Sequence, residues 1–174
     1  VSFIRIGDKL INRDKLLRTI ERILSLRSSG LSQLDVAEQI GVDRTFISRL
    51  EALAEVRKGG PVAVIGFPVK NKEELLTVCQ QYGVEYTLLM TEKERWDYIE
   101  AQSGLEFLNH LMKIIADLQD FDTIIMIGSD MRIRLAEAML GDKVVGVEIG
   151  QSPIREDIFV PADKLIKLIS NVKD

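Results

Sequence analysis

Arg44, Thr45, Ser48 and Arg49 recur at the one-, three- and four-residue spacings that gather side chains on one face of a helix. Two guanidinium forks beside two short hydroxyls suit base edges and phosphates. An arginine donates twice to guanine O6 and N7 or clamps a phosphate, and a hydroxyl serves either role. Gln33, at the predicted start of a preceding helix, approaches a phosphate. The competing reading makes Arg44 and Arg49 a solvated helical face paired with acids such as Glu38 or Glu51.

Other reactive side chains are few. One cysteine, Cys79, and one histidine, His110, cannot build a zinc finger or ribbon, and a lone cysteine makes no internal disulfide. Leu108, Leu111, Met112 and Ile115 read as a buried helical stripe, which leaves His110 on the polar surface. Cys79 falls inside a predicted helix and reads as a structural thiol. Glu92, Glu94, Asp130 and Glu148 lie near predicted strand ends, where carboxylates of an acidic domain are usually solvated. The expectation is no catalytic residue, no metal and no cofactor. Phe46 reads as core, and Trp96 and Tyr98 as cover for a sheet.

The elements that must position these residues follow from pattern. Leu16, Leu17, Ile20, Ile23, Leu24 and Leu26 recur at helical spacing between Arg13 and Ser29, and Ser28-Ser29-Gly30 ends that helix. Ser32 caps a second helix, Gln33 to Ile40, with Asp35 suiting its positive end. Gly41 closes it in a left-handed conformation, and Asp43 caps a third helix from Arg44 to about Val56.

The run Leu31 to Glu51 resembles the helix-turn-helix of Cro/repressor-type (XRE-like) transcriptional regulators. Ala37 is the small residue at the helix crossing, Gly41 makes the turn, and Val42, Ile47 and Leu50 pack the third helix onto the second. The resemblance implies that the third helix enters a DNA major groove. It lapses after Glu51, where XRE-like domains continue into further helices. The long helix from Arg13 and the apolar start Phe3, Ile4, Ile6, Leu10 and Ile11 supply the missing cover or form a dimer contact.

Charge divides the chain at the same place. Residues 1–60 hold 11 Lys+Arg and 8 Asp+Glu, net +3, whereas 61–174 hold 12 and 19, net −7. The Gly59-Gly60-Pro61 punctuation marks a boundary, so the domains are placed at 1–58 and 59–174. Beyond it, short Val/Ile/Met runs alternate with helical ones: 62–67, 84–90, 123–127, 144–149 and 158–160 as extended pieces, and 72–82, 92–101, 105–118, 131–140 and 162–170 as helices. Near-continuous apolar strands separated by helices mean a parallel sheet covered on both faces. The expected fold is thus an all-α helix-turn-helix domain followed by an α/β domain with a mainly parallel, Rossmann-like sheet.

Ligands of such sheets sit beyond the strands' carboxyl ends, which nominates Lys70, Asn71, Thr91, Ser129, Asp130, Arg132 and Ser152. Neither G-x-G-x-x-G nor a P-loop is present. No apolar run reaches a membrane-spanning length, and the alternating charges of the first twenty-five residues lack a secretory pattern, so a cytoplasmic protein without a membrane partner is expected. Together these features predict a sequence-specific transcriptional regulator that binds double-stranded DNA as a homodimer, with an α/β domain that senses a small-molecule effector or mediates assembly. Two alternatives stay open: an enzyme acting on a phosphorylated or nucleotide-like substrate, and a protein-interaction adaptor.

Overall fold

A computed structural model of the chain describes residues 2–174 in two compact units, one ending at Glu55 and one spanning Val56–Asp174. The first unit opens with an antiparallel hairpin, β1 (Phe3–Ile6) and β2 (Lys9–Asn12), paired from Phe3↔Asn12 to Ile6↔Lys9. Gly7, at φ +58°, takes the first position of the two-residue loop, where a positive φ matches the strand twist. This corrects the all-α expectation for the unit: the four-residue segments on either side of Gly7-Asp8, which carry Phe3, Ile4, Ile6, Leu10 and Ile11, close on each other as strands.

Three helices follow, α1 (Arg13–Ser28), α2 (Gln33–Ile40) and α3 (Arg44–Ala52). Asn12 caps α1, and Ser32 with Asp35 forms a reciprocal capping box on α2. Gly41, at φ +82°, ends α2 and lets its N–H bond Ala37 O. The buried core is small, consisting of Ile23, Val36, Ala37 and Ile47, with Leu26, Leu31, Ile40 and Leu50 packed around it. α3 stops at Ala52, four residues short of the expected end, and Leu53 beyond it is 81% exposed. Asp43 stands at the α3 N-cap position, but its carboxylate makes no cap bond.

In the second unit, β3 (Val62–Gly66), β4 (Tyr86–Leu89), β5 (Thr123–Ser129) and β6 (Val144–Gly150) form one parallel sheet in the order β4-β3-β5-β6. Successive side chains alternate between two cores. Val62, Val64, Ile125 and Ile127 face α4 (Lys72–Gln81) and α8 (Ala162–Lys173), while Ala63, Ile65, Ile124 and Met126 face α6 (Gly104–Leu118) and α7 (Asp130–Leu140). α5 (Glu92–Glu100) contributes no buried residue. Gly66 needs its missing side chain, since a Cβ there would stand 3.0 Å from both Ile127 and Leu89.

Residues 158–160 contribute a single bridge, Val69↔Ile158, not the expected strand. Asn71 fastens this segment, accepting from Val160 N at 2.9 Å and donating to Val160 O at 2.8 Å. Gly59 N donates to Val172 O at 2.8 Å, so α8 also holds the start of the unit. The expected buried stripe of α6 is corrected. Leu108, Leu111 and Met112 are exposed, because the helix meets the sheet through its last turns, at Ile114, Ile115 and Leu118. Among the described residues, no helix is long and apolar enough to cross a membrane.

Candidate nucleic-acid interface

Ile47 has 0% exposure and anchors α3 onto Val36 and Ala37 of α2. Ala37 lets the two helices approach, and Gly41-Val42-Asp43 turns the chain between them. With Ile47 fixed inward, helical geometry leaves Arg44, Thr45, Ser48 and Arg49 exposed on α3. Phe46 is also turned out, at 43% exposure, correcting its assignment to the core: it neighbours Ile47 along α3 and so lies a third of a turn off the packed face. Val42, expected to pack, remains 36% exposed at the turn.

The neighbouring acid is engaged elsewhere. Arg27, in the last turn of α1, donates its Nε to Glu51 Oε1 at 2.5 Å and its Nη1 to Leu31 O. Gln33 Nε2 donates to Glu51 Oε2 at 2.9 Å. These two partners, Arg27 first, hold the Glu51 carboxyl below its ordinary range and tie α1, α2 and α3 together. Gln33, read as a phosphate contact, instead spends its side-chain amide on this network. Among the described residues, Arg44 and Arg49 have neither an ion pair nor a side-chain hydrogen bond, so the pairing with Glu51 or Glu38 weighed from sequence is not made.

In the second unit, most of the seven nominated ligand residues serve the fold. Asn71 fastens the 158–160 segment, and Thr91 caps α5 with Glu94. Ser129, fully buried, caps α7 by accepting from Arg132 N. Asp130 accepts from Ser152 N at 2.8 Å and pairs with Arg134 at 2.9 Å. The Ser152 N–H comes first among the causes that hold the Asp130 carboxyl low. Lys70 is exposed, and its backbone N–H donates to Ile158 O. Arg132 alone turns its side chain across the strand ends: its guanidinium lies 4.6 Å from the centre of the Phe67 ring, and Nη1 donates to Phe67 O at 3.2 Å.

Glu92 and Glu94, read from sequence as solvated carboxylates near strand ends, are both paired. Arg95 pairs with Glu92 at 2.7 Å, and Trp96 Nε1 donates to the same Glu92 oxygen at 3.0 Å. Glu94 pairs with Lys72. His110 is exposed, bonds Gln102 and borders an open groove of about 550 Å³ between α5 and α6. Trp96 and Tyr98, expected as sheet cover, are 49% and 38% exposed on α5. Cys79 is buried, and desolvation pushes its thiol up to about 11. Among the described residues, no three His, Cys, Asp or Glu side chains are grouped to hold a metal ion. No protein-family model, curated protein or solved structure matches the chain.

Proposed function

We propose that the chain is a sequence-specific DNA-binding transcriptional regulator that carries an XRE-like helix-turn-helix and acts as a homodimer in the cytoplasm. α3 is its recognition helix, and the α/β unit senses a small molecule or mediates assembly. One observation carries the reading: Arg44 and Arg49 stand exposed on one helix without acidic partners among the described residues, while Glu51, the nearby acid on the same helix, is held by Arg27 and Gln33. An arginine kept free of local ion pairs retains its fork for guanine or phosphate. Thr45 and Ser48 add short polar reach between the two arginines. A recognition helix of nine residues buries too little surface to bind tightly alone. Two copies reading half-sites about one helical turn apart meet that need.

The test is selection of genomic DNA fragments by the purified chain beside an Arg44→Ala/Arg49→Ala variant whose fold is verified by circular dichroism. The intact chain enriches an inverted repeat and the variant does not. For the enriched site, losing both arginines also flattens the slope of log affinity against log salt by about one for each phosphate contact removed. A folded, dimeric wild type that enriches no sequence at low salt overturns the reading.

A further inference from the structure

The carboxyl ends of β3, β4 and β5 bring together arginines from two different helices. The sheet order β4-β3-β5-β6 sends the chain from β3 to one side for β4 and to the other side for β5. The crevice between the ends of β3 and β5 is therefore the topological switch point, the usual ligand position in open parallel sheets. Arg132 spans it. The residue belongs to α7, after β5, yet its guanidinium rests on the ring and carbonyl of Phe67, just after β3. Its planar fork is thus already oriented, with one of its five N–H donors used.

Charge in the crevice is unbalanced. Arg132 is half-buried, and among the described residues no carboxylate stands within ion-pair distance of it. Arg95 and Glu92 both act on it electrostatically. Burial first, and the Arg95 charge second, hold the Arg132 guanidinium below its usual range, with Glu92 opposing. Glu92 gives one oxygen, Oε1, to both Arg95 and Trp96, and its Oε2 is buried without a hydrogen-bond partner among the described residues. Arg95 is paired with Glu92, and the exposed Asp157 carboxylate accepts from Glu92 N at 2.7 Å, so among the described residues Arg132 is the guanidinium of this group left without a carboxylate partner, in a partly desolvated place where an unpaired cation costs free energy that an arriving anion returns.

We infer that this crevice binds the carboxylate of a small monoacid, with Arg132 as the fork that receives it. A planar carboxylate matches the remaining guanidinium donors two at a time, and a single negative charge neutralises Arg132. A phosphate dianion would leave excess negative charge beside Glu92. Trp96, 49% exposed, has its ring centre 5.4 Å from the Arg95 guanidinium and donates to Glu92, the two charges that act on Arg132. The inference rests on reading the α/β unit as a sensor and names the chemistry sensed; it does not require that α3 bind DNA.

Trp96 is the only tryptophan, so its emission reports on this place in the full-length chain. Sodium acetate and sodium propionate are titrated at constant ionic strength against sodium chloride, with inorganic phosphate in a separate arm. The wild type responds saturably to the carboxylates and more weakly to phosphate. Arg132→Met, checked for folding by circular dichroism, loses about 10- to 100-fold in affinity. Arg132→Lys, which keeps the charge but not the fork, falls between them. A folded wild type with no carboxylate response beyond chloride overturns the inference, as does an unchanged response in Arg132→Met. A stronger response to phosphate overturns the assigned ligand class. DNA selection is read separately: a chain that enriches an inverted repeat but ignores carboxylates loses only this inference, and one that binds carboxylates but selects no DNA loses only the regulator reading.

Discussion

Truncating Ile47 tests whether the small α1–α3 core positions the arginine-bearing face of α3. A unit ending at Glu55, at roughly 0.05–0.15 kcal/mol per residue, is stable by about 3–8 kcal/mol. Removing a buried isoleucine down to alanine costs about 2–5 kcal/mol, depending on how far the surroundings collapse. Here collapse is restricted. Ala37 is already small, and Ile23 and Val36 are the other large side chains fully buried in that core. Ile47→Ala therefore falls near the upper end, about 4 kcal/mol, and removes half or more of the unit's stability. Thermal unfolding is followed by far-ultraviolet circular dichroism and by Trp96 emission, which belongs to the second unit. α1, α2 and α3 hold 16, 8 and 9 residues. The variant should lose roughly a third of its helical signal at a temperature where Trp96 emission is still native. Phe46→Ala, one residue away and 43% exposed, costs about 1 kcal/mol or less. An Ile47→Ala variant no less stable than Phe46→Ala would refute the packing argument.

Two further outcomes concern titratable groups in the second unit. Because burial pushes Cys79 up to about 11 from 9.0, the native thiol stays protonated and unreactive toward a disulfide reagent at pH 8, then reacts fully in denaturant. Its contribution to stability is present below pH 9 and lost as pH rises through about 11; rapid native labelling would contradict its burial. Glu94 is held below its ordinary 4.5 by Lys72, so the stability it contributes is present above pH 4.5 and lost as pH falls through its lower folded value. Lys72→Met should consequently show a shallower loss of stability on acidification than the wild type, measured by urea unfolding across that range. Parallel acid profiles would remove the assigned role of the pair.

Residues with a local or periodic signature were legible in the sequence. Ser32 capping α2, Gly41 ending it, and the near-continuous apolar runs of β3 and β5 each follow from local pattern, because one backbone geometry satisfies them. The hairpin at residues 3–12 was less legible: its strands are only four residues long and expose apolar side chains on both faces, so no clean alternation marks them, although Gly7-Asp8 between two apolar runs is a turn signal. Side-chain partners were least legible. That Glu51 binds Arg27 and Gln33, and neither Arg44 nor Arg49, depends on where three helices cross, and spacing along any one of them carries no such information. The same holds at the strand ends, where polar residues of similar sequence character divide into those that fasten loops, such as Asn71 and Asp130, and Arg132, which crosses to Phe67.

The closure of the second unit by α8 bears on the order in which a ribosome releases working parts. The last contact of the α1–α3 core is made by Leu50, so that core is complete in sequence long before Val172 exists. The sheet, by contrast, requires Val160, Leu165, Ile169 and Val172 to cover one face, and Val172 O also receives the N–H of Gly59. During synthesis the first unit can therefore fold while the second remains open along the face that α8 will cover, leaving apolar β3 and β5 to wait for a helix that starts 39 residues after β5 begins. A nascent chain halted before α8 would already carry the arginine-bearing helix, but not a finished sheet at whose strand ends Arg132 could be held.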